Sequence, residues 1–421
     1  MSPDRSTTGL WIQRLLVHQF RSYARAELDL APASAEGLAN GPAVLPVVLT
    51  GPNGAGKTNL LEAISFLAPG RGLRGARLGE VDRVMRSSQD ASDEDSGQGA
   101  PWAVAASVMT PEGPRDLGSG RDPASNGGGG RERRLIKVDG VAARGQQALA
   151  EVVSMVWLTP QMDGLFREGA GGRRRFLDRL VYGYDPEHAA RSNAYEHSLR
   201  ERARLLKSGR GERAWLEALE DSMARHGIAI ADARLAMVER LQHACDAGEG
   251  PFPKARLALD GTVERWLAEG QPALAVEDRL RAGLAESRNQ DAEAGGAAIG
   301  PHRSDLAAEH ADKGVAAALC STGEQKALLI AILLAHARLL TLERGAPPLL
   351  LLDEVAAHLD GARRAALYDE ILNLGAQAWL TGTDVADFEP LRGRAQFFTI
   401  SEGTILPAGG QPANEMPANE M

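Results

Sequence analysis

The stretch that decides the fold is Gly51-Pro52-Asn53-Gly54-Ala55-Gly56-Lys57-Thr58. Its glycines and its Lys-Thr ending follow the G-x-x-x-x-G-K-[ST] spacing of a phosphate-binding loop. Glycine lets the backbone curl tightly, so that successive N–H groups point inward at phosphate oxygens. In such a loop Lys57 reaches the β- and γ-phosphates and Thr58 ligates Mg²⁺. The helix that follows aims the positive end of its dipole at the anion. The whole stretch is therefore expected to line an ATP site. Its flanks agree. Val47-Val48-Leu49-Thr50 is a short apolar run of the kind buried in a parallel sheet. Leu60, Leu61, Ile64 and Leu67 then recur on one face of a helix that should begin at Lys57 or Thr58.

Leu349-Leu350-Leu351-Leu352-Asp353-Glu354 is an apolar strand ending in two acids. Both carboxylates then stand at the carboxyl edge of a sheet, where open α/β folds bind ligands. Asp353 is expected to hold Mg²⁺, and Glu354 to polarise the attacking water as general base. Ser321-Thr322-Gly323-Glu324-Gln325 precedes a strongly apolar helix and resembles the ABC signature L-S-G-G-Q. In ABC proteins that segment faces the γ-phosphate held by the opposite subunit's P-loop. Ser321, Gly323 and Gln325 are thus candidate ATP contacts across a dimer. Ser321 also suits a helix N-cap with Glu324 closing a capping box, and the two roles are compatible. Asp360 follows in a position like the ABC D-loop and joins the ATP-binding candidates. Gln161, in Leu158-Thr159-Pro160-Gln161, resembles the Q-loop glutamine that senses the metal, which makes it a metal and catalytic candidate beside Lys57 and Glu354. The switch histidine of ABC proteins is missing. Thr381-Gly382-Thr383-Asp384 stands in its place, with Thr383 able to meet the γ-phosphate.

The chain has 421 residues, 43% hydrophobic and 24% charged, ordinary for a soluble globular protein of two to three domains or one large domain with an inserted lobe. The N-terminus lacks the basic start and apolar core of a secretory signal. Ala327 to Leu340 is too short to span a bilayer and reads as a buried helix. Cys245 and Cys320 read as free thiols of a reducing cytosol, so a cytoplasmic protein without membrane contact is expected. The net charge of −9 argues against nucleic acid contacts over the whole surface but leaves room for a local basic footprint. Candidate clusters are Arg71, Arg74 and Arg77; Arg131, Arg133, Arg134 and Lys137; Arg173, Arg174 and Arg175; and a run from Arg200 through Arg204 to Arg213.

Two strands are expected within residues 11–30. A small antiparallel sheet should use Trp102 to Met109 and Leu135 to Val141, with loops at 87–99 and 122–134. Residues 174–246 read as helix, and α/β texture returns toward the end. The expected division is an α/β, ABC-type ATPase head over 1–172 with an antiparallel subdomain, an inserted helical lobe over 173–298, the rest of the head over 299–406, and a disordered tail over 407–421 carrying a repeated PANEM.

Further pieces resemble one family within the ABC class, that of RecF. They are Phe20-Arg21-Ser22-Tyr23, Arg173-Arg174-Arg175-Phe176-Leu177-Asp178, Gly300-Pro301-His302-Arg303-Ser304-Asp305, and an extended acidic motif from Asp353 to Asp360. Two details depart from the family pattern. Gly171 and Gly172 stand where a proline is usual ahead of the arginine pair, and Arg202-Ala203 replaces an expected R-N pair. The resemblance implies an ATP-dependent homodimer, with each ATP between one P-loop and the partner's signature, and weak, DNA-stimulated hydrolysis acting as a switch. It also implies binding to single-stranded, gapped or junction DNA during repair and replication, and cooperation with RecR and RecO in loading recombinase. Arg173, Arg174, Arg175 and Arg204 are the candidate DNA contacts. The alternatives are an ABC-type ATPase subunit of another assembly, or an ATP-dependent scaffold with negligible hydrolysis. A transporter subunit fits poorly, because its P-loop and signature lie much closer together than residues 51 and 321.

Overall fold

The structure is a computed structural model of the chain, and it describes residues 9–30, 44–83, 101–123, 132–209 and 212–408. The acidic stretch 87–99, most of the loop at 122–134 and the PANEM repeats lie outside the described residues. The chain divides into two compact units, Met1–Pro160 with Leu340–Met421, and Gln161–Leu339.

The first unit opens with a hairpin of β1 (Trp11–Phe20) and β2 (Tyr23–Asp29). β3 (Val47–Thr50) then runs through the P-loop into α1 (Lys57–Ser65). Next come β4 (Ala103–Thr110), β5 (Gly113–Arg121), β6 (Arg134–Val138), β7 (Val141–Ala142), a short α2 (Gln147–Ala150) and β8 (Met155–Leu158). The second unit holds α3 (Ala170–Tyr182), α4 (His188–Ser208), α5 (Arg213–Asp246), β9 (Ala255–Asp260), α6 (Thr262–Ala268), α7 (Ala273–Glu286) and α8 (Arg288–Ala294). β10 (Asp305–His310), β11 (Val315–Ala316) and most of α9 (Thr322–Arg344) complete it. β12 (Leu349–Leu352), α10 (Gly361–Leu374), β13 (Ala378–Gly382), β14 (Gln396–Ser401) and β15 (Thr404–Pro407) return to the first unit.

Two sheets build the first unit. One has the order β15-β14-β3-β13-β12-β8; all its pairings are parallel except β14 with β15. β3, β13 and β12 are buried along their whole length and mostly apolar, as a sheet covered on both faces requires. The other is antiparallel, β2-β1-β4-β5-β6-β7. Buried Gln377 joins them. Its amide accepts from Ile12 N at 2.9 Å and donates to Ile12 O at 3.1 Å, beside the register shift in β1 between Ile12 and Arg14. Two buried backbone groups thus find partners in a side chain.

The sequence left β5 unread. Gly113-Pro114-Arg115-Asp116-Leu117-Gly118-Ser119-Gly120-Arg121 has neither alternation nor β-branched residues, and it becomes a strand because β4 and β6 pair with its two edges. The strand expected over Leu135 to Val141 is a hairpin, since Asp139 and Gly140 turn with φ of 51° and 76°. The division also differs from expectation. Residues 161–172 and 299–339, signature segment included, group with the helical unit. The reason is pairing: β10 runs along β9 from Asp305↔Asp260 to His310↔Ala255, and Arg173 at the start of α3 holds Asp305.

The second unit packs Tyr195, Met223, Ile228, Val276, Leu280 and Leu284 into one core. Inside it Arg202, 1% exposed, pairs with Glu220 at 2.9 Å and Asp291 at 2.8 Å. This arginine of the 200–213 run therefore faces inward. Among the described residues α9 is the helix long and apolar enough to cross a membrane, and most of it is buried in the protein. Within α9, His336 donates Nε2–H to Leu180 O at 3.0 Å.

Burial pushes His336 and His302 down from 6.5 to about 4. Between those values the unfolded chain binds more protons than the folded one. Stability is thus full above pH 6.5 and falls as pH drops toward 4, by up to roughly 3 kcal/mol per histidine. Thermal melts from pH 7 to 4.5 should show this loss, and His336→Leu should make the decline shallower. An unchanged slope in that variant would mean that His336 does not carry it.

Candidate nucleotide site

The P-loop turns on glycines in backbone regions closed to other residues. Gly51 has φ of 148°, and a Cβ there would come within 2.2 Å of the Ile400 carbonyl oxygen. Gly56 has φ of 116°, and its Cβ would meet Ser22 Oγ and Tyr23 Oη at 2.9 Å. Lys57, the first residue of α1, lays its ammonium back across the loop. Nζ donates to Gly51 O at 2.7 Å and to Pro52 O at 2.9 Å. Burial lowers the Lys57 pKa, while the carboxylates of Glu354 and Asp353 pull it upward.

Strand order supplies the rest of the site. β13 lies between β3, which ends at the P-loop, and β12, which ends at the acids. A side chain near the carboxyl end of β13 therefore falls between them, and that residue is Thr381. Its hydroxyl donates to Asp353 Oδ1 at 2.7 Å and accepts from Glu354 N at 2.8 Å. Thr58 Oγ1 donates to the same Asp353 oxygen at 3.0 Å. Burial raises the Asp353 pKa, the two threonine bonds oppose that rise, and the charge of Glu354 adds to it. A hard cation would relieve this strain, and the donors present, a hydroxyl and a carboxylate oxygen, are those that Mg²⁺ accepts. Glu354 sits at φ of 49°, a left-handed conformation that costs a non-glycine residue about 1–3 kcal/mol. Its bond to Thr381 helps hold it there.

Asp360 caps α10 by accepting from Arg363 N at 2.8 Å. Thr383 is exposed, and neighbouring Asp384 caps the short helix after it through Ala386 N. The threonine that touches the acids is therefore Thr381, which the sequence alone conceals within an apolar strand. A knowledge of strand order would have revealed it.

The hairpin motif Phe20-Arg21-Ser22-Tyr23 also proves to be part of the site's frame. Tyr23 Oη donates to Gly56 O at 3.0 Å, and Asn59 Nδ2 donates to Ser22 Oγ at 2.9 Å. Arg21 grips Glu62 of α1 with two bonds of 3.0 and 2.9 Å, and Arg74 adds a third at 3.2 Å. Glu62 is fully buried, so these cations offset its desolvation. Gly403 N, in the β14–β15 turn, donates to Ala55 O at 3.2 Å. The loop is thus braced from both sides before any phosphate arrives.

The remaining candidates lie in the second unit. Ser321 is exposed and forms the expected capping box, with Glu324 N donating to its Oγ at 3.4 Å and Ser321 N donating to Glu324 Oε2 at 2.9 Å. Gly323, next to it, is half-buried. Gln325 is buried and turned inward, its Nε2 donating to Cys320 O at 2.7 Å. Gln161 is exposed in the turn Pro160–Gly164.

The expected DNA arginines are largely engaged. Arg173 makes a two-pronged pair with Asp305 at 2.6 and 2.8 Å, and Arg174 donates to Ser304 O at 2.6 Å. These bonds tie two of the sequence motifs together. Arg204 pairs with Glu201 at 2.8 Å, whereas Arg175 is exposed and has no ion-pair partner among the described residues.

A family model described as "AAA domain, putative AbiEii toxin, Type IV TA system" matches residues 47–99. The DNA replication and repair protein RecF of Mesorhizobium japonicum is 46% identical, covering 94% of this chain and 97% of that protein. RecF of Rhizobium meliloti is 44% identical over 94% of this chain and 98% of its own length, and that of Brucella suis is 44% identical over 96% and 97%. Two solved structures of the recombination mediator protein RecF in the RecFOR pathway, with ATPrS and with ATP, superpose with TM-scores of 0.78 and 0.75. Each is 22% identical; they cover 96% and 95% of this chain and 100% of their own chains. The fold is therefore that of an ABC-type P-loop ATPase head carrying a helical lobe.

Thr381→Val should weaken Mg·ATP binding by roughly tenfold, since it frees the buried Asp353 oxygen of one donor and Glu354 N–H of its acceptor. Thr383→Val should leave it unchanged. Calorimetric titration of both variants checks this, and equal effects would remove Thr381 from the site.

Proposed function

The chain belongs to the RecF family, and from that premise we propose that it is an ATP-dependent DNA-binding protein of recombinational repair and replication, cytoplasmic and dimeric in its ATP state. The observation that carries this reading is the Lys57–Thr58–Asp353–Thr381–Glu354 constellation at the end of one parallel sheet. It provides a cation for the phosphates, oxygen ligands for a metal, and a carboxylate beside them.

On this reading Lys57 exchanges the carbonyls of Gly51 and Pro52 for β- and γ-phosphate oxygens. The amides of Gly54 to Thr58 and the start of α1 receive the rest of the phosphate charge. Mg²⁺ held by Thr58 and Asp353 supplies electrostatic stabilisation of the charge that develops on the phosphates. Glu354 orients the attacking water and accepts its proton. Asp360 resembles the D-loop residue and Gln161 the Q-loop glutamine of ABC proteins, which supports roles for both in hydrolysis.

Ser321 and Gly323, exposed or half-buried at the start of α9, suit contact with a γ-phosphate bound by a second copy. ATP then joins two chains, and hydrolysis parts them. Slow, DNA-stimulated turnover makes this a switch that governs when the pair holds gapped or junction DNA. RecR and RecO are its partners by family, with recombinase loading as the outcome.

Sedimentation with and without Mg·ATP, repeated with gapped duplex, tests the reading. Lys57→Ala should abolish the ATP-dependent dimer, and normal dimers in that variant would sink the P-loop role. Glu354→Gln should keep dimer and DNA together for longer while turnover falls by about two orders of magnitude. Hydrolysis at the unaltered rate would rule Glu354 out as the base. Ser321→Arg should leave each chain's ATP affinity within about twofold yet block pairing, because a bulky cation at that helix start meets the partner and not its own nucleotide. A Ser321→Arg dimer would overturn the composite site.

A further inference from the structure

DNA binding needs cations that are not already neutralised, and most surface arginines of this chain are. Arg14, Arg115, Arg191, Arg256, Arg281 and Arg392 each stand within ion-pair distance of a carboxylate. Arg200, Arg204 and Arg213 pair with Glu196, Glu201 and Glu217. One region of the first unit breaks the pattern. A groove of about 960 Å³ runs between the segment that follows α1, residues 70–78, and the β6–β7 hairpin with its flanks, residues 132–146. Arg71, Arg77, Arg133, Lys137 and Arg144 line it. All five are exposed, and none has an ion-pair partner among the described residues. Among the described residues Glu132 is the one acid in the lining.

A sixth cation lies lower in the groove. Arg134 donates to Gly70 O at 2.8 Å, Ala68 O at 3.1 Å and Ser119 Oγ at 2.8 Å, and to Phe66 O. Every one of these acceptors is neutral, so its charge is spread and not cancelled. Burial brings its pKa down to about 10, which leaves it protonated at neutral pH. The groove walls are tied together, because Gly70 N donates to Gln146 Oε1 at 2.7 Å. Trp102 Nε1 anchors the far wall through Leu78 O at 2.9 Å. The cations therefore converge on a surface that is already shaped.

Like charges gathered without counter-ions repel one another, and on a chain of net charge −9 the grouping runs against the average. A polyanion resolves both facts. The groove is far larger than one phosphate and presents its cations from both of its walls. Among the described residues its lining contains no aromatic ring on which an unpaired base could stack. Single-strand sites rely on such rings, whereas duplex contacts are mostly to backbone phosphates.

We propose that this groove binds the phosphodiester backbone of double-stranded DNA without reading its sequence. The proposal rests on the DNA-binding reading above and assigns it a place. The arginines of the 173–175 and 200–213 segments then serve mainly to hold the helical unit together or to pair on its surface.

The test uses the full chain with Mg·ATP and a fluorescent blunt duplex, titrated over a series of salt concentrations. The quadruple variant R71Q/R133Q/K137Q/R144Q is compared with wild type and with R200Q/R204Q/R213Q. The slope of log K against log salt should fall by about three to four units in the groove variant, about 0.9 per lost phosphate contact, and stay unchanged in the other. ATP-dependent sedimentation should be intact in both. If the quadruple variant fails to fold, Arg71→Gln and Lys137→Gln singly should each lower the slope by about one. An unaltered slope in a wild type that does bind duplex overturns the groove and leaves the DNA-binding reading standing. A wild type that binds no DNA overturns that reading itself. A loss confined to a single-stranded probe overturns the duplex assignment.

Discussion

Asp353 places a negative charge where water hardly reaches, and two threonine hydroxyls hold it there, Thr58 from the start of α1 and Thr381 from the end of β13. A buried carboxylate costs several kcal/mol unless it is hydrogen-bonded or neutralised. Two hydroxyls satisfy one oxygen but cannot cancel the charge, so the carboxyl sits above its ordinary pKa. Much of the surrounding architecture meets this constraint. β13 must lie between the P-loop strand and the acidic strand for Thr381 to reach both Asp353 and Glu354. The residual charge imbalance would favour a divalent cation beside Asp353.

The loop that faces this carboxylate is no freer. Gly51 lies so close to the Ile400 carbonyl, and Gly56 to Ser22 and Tyr23, that a side chain at either place would collide. Those neighbours come from different parts of the chain, the first hairpin and the strand near the end of the described residues. A phosphate-binding loop gains from such bracing because its amides then need no reorganisation when the anion arrives. Gln377 extends the same logic to the junction of the two sheets, where it stands in for a strand partner to Ile12. Glu62, a buried carboxylate held by the partly exposed Arg21 and Arg74, fixes α1 to the hairpin.

Charge is distributed with comparable selectivity. The helical unit pairs many of its arginines internally, down to a core network of Arg202, Glu220, Arg288 and Asp291. The groove beside β6 leaves its arginines unneutralised. A sequence count cannot separate these cases, because an arginine cluster looks the same whether its carboxylates lie across a helix turn or are missing altogether. Arg173 shows the difficulty well: it reads as a basic patch, yet its partner Asp305 comes from the far side of the helical segment.

What the sequence determined by itself was mostly local, although the Asp139-Gly140 turn escaped it. The P-loop spacing, the apolar strand ending in Asp353 and Glu354, and the helix faces follow from short-range periodicity and turn chemistry, and the structure places Val47–Thr50, Lys57–Ser65 and Leu349–Leu352 close to where the pattern put them. The capping box at Ser321 was legible for the same reason. Tertiary structure decided what depends on strand order and long-range pairing. Gly-rich β5 is a strand because two neighbours bond to it, and Asp305 binds residues 299–339 to the helical unit. Thr381 belongs to the site because β13 lies between β3 and β12. Free charge is decided in the same way, since a cation is available only where folding brings no carboxylate to it, and no linear pattern records that distance.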